Sequence, residues 1–199
     1  SWREVLLGLM DRGLCAPKLA TGDGAMGVWA ELEEMFPTTR QQRCWMHKTG
    51  NVMNYQPKRS QPKAKKMLHD IWQAETRDDA HAAFDLFIET IEAKYPRAVE
   101  GLIKDRDELL TFFDFPAQHW QSIRTSNPIE SAFATIRHRT KRTKGCLTRD
   151  GMLHMMFKLG KCAEKSWRKL RGFAHLADVV QGVNFVNGIK PSKPDQAAA

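Results

Sequence analysis

A strand–helix–strand pattern near the start of the chain is the strongest constraint on its fold. Residues 15–20 are typical of a short strand that ends in the polar, glycine-rich turn of residues 21–24. Apolar residues then recur at helical spacing over residues 25–36, and a second candidate strand follows at residues 41–45. Because this order normally forms a parallel pair with a right-handed crossover, the sequence predicts an α/β fold.

The middle of the chain carries only helical patterns. Apolar residues follow the i, i+3, i+4 rule from Ala80 to Tyr95, and a further helix runs through residues 99–110. We therefore expect an all-helical insertion at residues 47–116. Another helix is expected to start at residues 126–130 and one more to follow it, which makes the predicted α/β chain mostly helical.

These patterns divide the chain into four parts. The α/β core would occupy residues 1–46, stop at the insertion and resume over residues 117–175. Residues 176–199 would form a tail that is partly disordered, because the sequence from about Asn187 onward (NGIKPSKPDQAAA) is typical of disorder.

The chain is basic. Lys and Arg number 31 against 23 Asp and Glu, a formal net charge of +8, which suits a polyanion such as nucleic acid. A modest basic excess also keeps a protein soluble, so charge alone leaves both interpretations open. No apolar stretch approaches the length of a membrane span and no cleavable leader is recognisable, so we expect a cytoplasmic protein without a membrane partner. The four widely spaced cysteines are expected to be reduced thiols.

Glu130 is the first candidate for chemistry. Within Ser126–Glu130, Asn127 can cap a helix, Pro128 suits its first turn, and an acidic residue in that turn is common without any function. Yet residues 121–144 contain six basic residues and only this one acid. The basic residues are Arg124, Arg137, Arg139, Lys141, Arg142 and Lys144. Helical spacing puts Glu130, Ala134, Arg137, Lys141 and Lys144 on one face, so a carboxylate heads a basic stripe, while Ile129, Phe133 and Ile136 face another side and are expected to pack inward. The concentration of positive charge favours a track for phosphates over a merely solvated face.

Asp23 is the second candidate. An Asp between two glycines is an ordinary turn residue, and a turn is the simplest interpretation of it alone. However, an Asp at the carboxyl end of a strand, together with a Glu that heads a basic helix, is what a metal-dependent phosphoryl-transfer site requires. Such a site needs convergent carboxylates from different elements to hold divalent metal ions.

Cys44 and His47 have the spacing of half a zinc site. The chain offers no second pair of ligands at suitable spacing, so zinc is not expected, and a buried pair at the junction with the insertion is the simpler interpretation. The tryptophans are mostly candidates for the core, although one exposed tryptophan in the insertion could stack on an unpaired base.

Together these motifs resemble the mutator-type transposases of bacterial insertion sequences. The resemblance runs from SWREVLLGL through Gly22-Asp23-Gly24 to QRCWMH, and then to FPAQHWQSIRTSNPIESAFATIRHRT. It implies a ribonuclease H-like core interrupted by a helical insertion, with Asp23 and Glu130 as the second and third acids of an Asp-Asp-Glu triad that binds Mg²⁺ or Mn²⁺. Cys44 and His47 match the family's Cys-x-x-His signature.

The resemblance also implies roles beyond the acids. Arg124, Asn127, Arg137 and Arg139 match motif positions around the Glu and are candidates for binding DNA, as are the cations Lys141 and Arg142 that follow them. The parent protein would cut the ends of a bacterial element and join them to target DNA, near the nucleoid and as a homo-oligomer.

One expected feature is absent. In such a fold the first Asp and the first three strands precede the helix with which this sequence begins, so we expect the chain alone to be inactive and its two strands to expose edges. Ser131-Ala132-Phe133 also departs from the usual motif. Two alternatives remain open, namely a non-enzymatic basic helical protein that binds DNA or a partner, and a decayed reading frame.

Overall fold

The computed structural model describes residues 1–142 and 148–191. Within them the chain is mostly helical and has one small parallel sheet, which confirms the mostly helical α/β expectation. None of the described helices is long and apolar enough to cross a bilayer. In chain order the elements are α1 (Trp2–Met10), β1 (Leu19–Gly22), α2 (Met26–Met35), β2 (Arg40–Arg43), α3 (Trp45–Asn54), α4 (Gln61–Gln73), α5 (Arg77–Ile91), α6 (Pro96–Ile103), α7 (Arg106–Leu110), α8 (Trp120–Ile123), α9 (Asn127–Arg142), α10 (Arg149–Glu164) and α11 (Leu176–Val180).

The two strands pair in parallel, with Leu19 opposite Arg40, and α2 connects them as the sequence pattern predicted. Strand β1 begins later than predicted because Pro17 has no N–H to donate to a strand ladder. The pairing starts instead where the Arg40 N–H donates to the Lys18 carbonyl at 3.2 Å. Within residues 1–142 and 148–191, no third strand joins this sheet.

Helices α3 to α7 pack around one hydrophobic core made of large aromatic and aliphatic side chains. The i, i+3, i+4 pattern of α5 places Ala80, Phe84, Phe87 and Ile91 on its buried face. The helix predicted over residues 99–110 is divided into α6 and α7. The largest fully buried side chains of this core include Trp45, Leu68, Ile71, Phe84, Phe87, Leu102, Phe112 and Phe113.

Buried Gln42 joins β2 to this helical insertion. Its side-chain nitrogen donates to the carbonyls of Arg43 (2.7 Å) and Leu109 (3.1 Å), and its oxygen accepts the Phe112 N–H (2.7 Å). The Leu109 carbonyl also accepts the Trp45 indole N–H at 2.8 Å. Because polar groups buried without partners are costly, these bonds hold the end of β2 in one position against the insertion.

An ion cluster around Asp105, between α6 and α7, makes a second link. The Asp105 carboxylate lies 2.6 Å from Arg43 Nε and 2.5 Å from Lys48 Nζ. Burial acts to raise the pKa of Asp105, but the hydrogen bonds and charges of Lys48 and Arg43 outweigh it and lower that pKa. Burial lowers the pKa of Lys48 despite the opposing charge of Asp105. The cluster therefore fixes Arg43 of β2 and Lys48 of α3 to the segment between α6 and α7.

Helices α9 and α10 leave apolar side chains exposed. Ile129 and Phe133, expected to pack inward, are 63% and 53% exposed, so that expectation is wrong for the described part of the chain. Met152 and Phe157 of α10 are also exposed. These helices contact each other, but the described residues supply no layer that covers their apolar faces.

The segment after α10 is folded as far as residue 191, which corrects the prediction of disorder from Asn187. Phe185 is buried, and the Asn187 side chain accepts the N–H of Arg77 at 2.9 Å. The N–H of Gly188 donates to the Phe113 carbonyl at 3.0 Å. Hydrogen bonds to the insertion thus order this segment despite its composition. Residues 192–199 of the predicted tail lie outside the described residues.

Replacing Asp105 with Asn removes the counter-charge of buried Lys48. We expect the free energy of unfolding near neutral pH, measured by urea denaturation, to fall by about 3 kcal/mol, the cost of an unpaired buried charge. Because the folded-state pKa of Asp105 is lowered, its carboxylate stabilises the fold above the unfolded-state pKa of about 3.9. That stabilisation is lost as the pH falls through the folded-state pKa, so wild type and D105N should converge in acid.

Asp107→Asn is the matched control, because Asp107 is an exposed acid in the first turn of α7. Its free energy of unfolding should stay within about 0.5 kcal/mol of the wild type. Equal losses in D105N and D107N would show that the ion cluster has no specific effect on stability.

Candidate active site at the strand ends

Asp23 and Cys44 directly follow the two parallel strands, at the same edge of the sheet. Asp23 is exposed, and its Oδ1 accepts the N–H of Ala25 at 3.0 Å. The Oδ1 atom therefore stabilises the turn, in agreement with the simplest interpretation of Asp23. This bond does not use the Oδ2 atom. The carboxyl ends of parallel strands are a common position for functional groups in α/β folds.

The thiol of Cys44 holds the start of α9 against the sheet. Cys44 is 1% exposed, and its Sγ accepts the Ser126 N–H at 3.2 Å. Two bonds flank it: the Trp45 N–H donates to the Arg124 carbonyl at 3.0 Å, and the Thr21 hydroxyl donates to the Ile123 carbonyl at 2.7 Å. Residues 123–126 are thus fixed to the ends of both strands.

Ser126 connects the Cys-x-x-His pair to Glu130. Its hydroxyl donates to the Glu130 carboxylate and lies 3.3 Å from both Cys44 Sγ and His47 Nδ1. The Nε2 atom of His47 is 3.7 Å from Glu130 Oε1. Helix α9 begins at Asn127, so Ser126 rather than Asn127 occupies the capping position. Sequence reasoning missed Ser126, although it immediately precedes the predicted cap.

The charges at this site converge on His47. Its hydrogen bond with Cys44 is the largest cause of a raised pKa, and the negative charges of Glu130 and Asp23 raise that pKa further, while burial opposes them. Burial raises the pKa of Cys44, but hydrogen bonds from Ser126 and His47 outweigh it and lower that pKa. Both candidate acids therefore act on one histidine, although 107 positions separate them (130 − 23 = 107).

Gly24 allows the turn at Asp23 to lie against Arg43. Its φ is +88°, which L side chains rarely adopt, and a Cβ at this position would lie 1.0 Å from Arg43 Nη1. The Nη1 atom is buried and has no hydrogen-bond partner among the described residues. Asp105 holds the same guanidinium through its Nε atom, so the ion cluster also supports the Asp23 turn.

Arg124, a candidate for binding DNA, faces the insertion. Its Nη1 donates to the Trp72 carbonyl at 2.6 Å, and its guanidinium lies 4.4 Å from the centre of the Trp72 ring. Burial lowers the pKa of Arg124. These contacts give Arg124 a structural role between α4 and the segment that leads into α9. Trp72 of the insertion and Trp120 of α8 pack against the core, whereas Trp167 is 60% exposed.

The remaining candidates for binding DNA lie on α9 and are exposed. Helical spacing places Arg137 and Lys141 on the face of Glu130. Arg139 and Arg142 lie on a different face and line a depression with Ser131 and Thr135. Asn127 is exposed at the first position of α9. Lys144, the last cation of the predicted stripe, lies outside the described residues.

The structure brings two acids, Asp23 and Glu130, near His47. Residues 1–142 and 148–191 contain no group of three or more His, Cys, Asp or Glu side chains arranged to hold a metal ion. Asp23 and Glu130 offer hard carboxylate oxygens suited to Mg²⁺ or Mn²⁺. Cys15, Cys44 and Cys162 are free thiols in the structure, and Cys146 lies outside the described residues.

Comparison with known protein families identifies the family to which the chain belongs. Residues 1–169 match the family model described as transposase, Mutator family. The chain therefore belongs to the Mutator family of transposases.

Individual relatives agree with the family. The chain is 53% identical over 190 residues to the transposase for insertion sequence element IST2 of Acidithiobacillus ferrooxidans, covering 95% of this chain and 64% of the relative. It is 43% identical over 194 residues to the transposase for IS6120 of Mycolicibacterium smegmatis, covering 98% of this chain and 60% of the relative. The chain thus spans less than two thirds of the length of either relative.

Replacing Gly24 with Ala should strain the Asp23 turn and displace the Arg43 guanidinium. We expect the free energy of unfolding to fall by at least about 2 kcal/mol, because a positive φ and a steric clash combine. Gly50→Ala is the control, since Gly50 lies in α3 with nothing within 4 Å of an added Cβ. It should raise stability by about 0.5–1 kcal/mol. Stabilisation of the fold by both substitutions would contradict the described turn.

Proposed function

We propose that this chain supplies two of the three catalytic acids of an insertion-sequence transposase, Asp23 and Glu130, within a ribonuclease H-like core. The whole protein would cut DNA at the ends of its element by attack of water and join the free 3′-hydroxyl to target DNA. The observation that carries this proposal is the attachment of the Glu130 helix to the strand ends, where both acids act on His47.

Divalent metal fits this pair of acids. Asp23 and Glu130 come from different elements, both are exposed, and their oxygens are ligands that Mg²⁺ and Mn²⁺ prefer. When bound, such ions activate the attacking hydroxyl and stabilise the leaving oxygen. A third acid from another part of the whole protein would complete the triad, so we propose that this chain is inactive alone.

Ser126 and His47 would position the Glu130 carboxylate. The Ser126 hydroxyl donates to that carboxylate, and the raised pKa of His47 favours an imidazolium beside it. Because Cys44 fixes Ser126 through its backbone N–H, the Cys-x-x-His pair holds the acid without binding metal itself. This accounts for the proximity of the pair to a carboxylate site.

DNA would approach along the α9 face that carries Glu130. Arg137 and Lys141 share this face, follow Glu130 along the helix, and would contact phosphates on one side of the reacting bond. Asn127 at the helix start would contribute a polar contact. Bringing two element ends together needs at least two copies of the whole protein, so we propose a homo-oligomer at the bacterial nucleoid.

Binding of Mn²⁺ tests the proposed pair of acids. NMR signals of the His47 ring should broaden when Mn²⁺ is added to the chain, because the ion is expected between Asp23 and Glu130. Asp23→Asn or Glu130→Gln should each raise the apparent Kd by about tenfold or more, since losing even a residue that only orients a metal ligand weakens metal binding about 10–100-fold.

Glu89→Gln, which alters an exposed acid on α5, is the control and should leave the broadening unchanged. Broadening at His47 that persists equally in D23N and E130Q would remove the basis for a shared site. The non-enzymatic interpretation of the chain, with Glu130 as a cap and Asp23 as a turn, would then be preferred.

Charge reversal on α9 tests the DNA-facing surface. Arg137→Glu with Lys141→Glu should weaken binding of duplex DNA and reduce the salt slope of log K by about 2, since each lost phosphate contact contributes about 0.9. Lys63→Glu with Lys65→Glu makes the same charge change on exposed positions of α4. Fluorescence anisotropy across a salt series measures both, and equal losses would indicate only a general effect of net charge.

A further inference from the structure

A basic groove lies between α9 and the segment that follows α10. Its volume is about 710 Å³, within the range of ligand clefts, and one wall is the start of α9. The other wall is formed by residues 166–171, which include Trp167, Arg168, Lys169 and Arg171. We name this feature the α9–Trp167 groove.

The α9–Trp167 groove is separate from the proposed active site. Pro128, Ser131 and Thr135 of α9 line it, and Glu130 does not. At 100° per residue, Glu130 points about 160° away from Pro128 and about 140° away from Thr135 on the helix. A strand of DNA in this groove would therefore lie behind the face that carries Glu130, Arg137 and Lys141.

Positive charge dominates the wall opposite α9. Residues 165–177 contain four Lys or Arg and no Asp or Glu, and all four of these side chains are exposed. Arg139 and Arg142 continue the positive charge along α9, because their depression shares Ser131 and Thr135 with the groove. The charge therefore forms a track that suits a phosphate backbone.

The basic wall has a fixed backbone. Buried His119 donates from Nε2 to the Gly172 carbonyl at 3.0 Å. Gly172 has a φ of +67°, and a Cβ at this position would lie 2.5 Å from the Cβ of Gln118. The chain must therefore turn closely against Gln118 and His119, which positions the cations that precede Gly172.

We propose that the α9–Trp167 groove binds an unpaired DNA strand, with the Trp167 indole stacked on a base and Arg168, Lys169 and Arg171 contacting phosphates. This inference rests on the proposed DNA-processing function and adds the form of DNA at a second site. An exposed aromatic ring among cations is typical of surfaces that bind single strands, because bases in a duplex have their faces covered.

Fluorescence anisotropy with labelled oligothymidylate and with a duplex of the same length tests this proposal on the purified chain. Trp167→Ala should weaken binding of the single strand about tenfold, because one base loses its stacking partner. Its effect on the duplex should be less than twofold. Trp167→Phe should restore most of the single-strand affinity, since it retains an aromatic face.

Charge reversal tests the phosphate contacts of the groove independently of Trp167. Arg168→Glu, Lys169→Glu and Arg171→Glu together should weaken oligothymidylate binding more than tenfold. The matched control is Lys63→Glu, Lys65→Glu and Lys66→Glu on exposed positions of α4, which makes the same change in net charge. Thermal unfolding of each variant checks the fold, and Trp167→Phe keeps the stacking arm informative if Trp167→Ala unfolds.

Three outcomes would overturn the groove proposal. The groove triple variant and the control triple variant could lose equal single-strand affinity, or W167A could bind the single strand as tightly as the wild type. Polyglutamate could also bind with an affinity that falls as much in W167A as the affinity for oligothymidylate does. The active-site proposal is judged separately, by the Arg137 and Lys141 variant on duplex DNA. If the Arg137 and Lys141 variant loses duplex binding while W167A keeps its single-strand affinity, only the groove proposal is rejected.

Discussion

The attachment of residues 123–126 to the strand ends is the constraint on which the proposed site depends. A buried thiol accepts the N–H of Ser126, and backbone groups of Arg124 and Ile123 accept bonds from Trp45 and Thr21. Each bond is modest alone, yet breaking one leaves a partly buried polar group unpaired. Their combined effect fixes the first turn of α9, and so the Glu130 carboxylate, beside His47.

Helix α9 distributes its charge between two faces because residues three and four apart share a face and residues two apart do not. Glu130, Arg137 and Lys141 lie together, whereas Arg139 and Arg142 lie toward the α9–Trp167 groove. A stripe that looks continuous along the sequence therefore becomes two surfaces in space. One carries Glu130, and the other lines the depression that shares Ser131 and Thr135 with the α9–Trp167 groove.

Burial changes the role of several residues with reactive or charged side chains. Arg124 stacks on Trp72 and donates to its carbonyl, although its position in the motif suggested a contact with DNA. Arg43 and Lys48 pair with Asp105 and hold the insertion rather than a ligand. In each case the charged group has a fixed partner inside the protein, because an unpaired buried charge costs several kcal/mol, roughly 3–5.

Local sequence patterns were enough to predict the strand–helix–strand unit and the helices of the insertion, because periodicity and turn residues act over short distances. The catalytic role of Asp23 and Glu130 stays a prediction. Local patterns did not predict the ordered segment at 187–191 or the contacts of Ser126. These features depend on hydrogen bonds between residues far apart in the chain, such as Ser126 with Cys44 and Gly188 with Phe113. Tertiary structure alone decided them, since burial determines which polar groups must find partners and which remain free to bind a ligand.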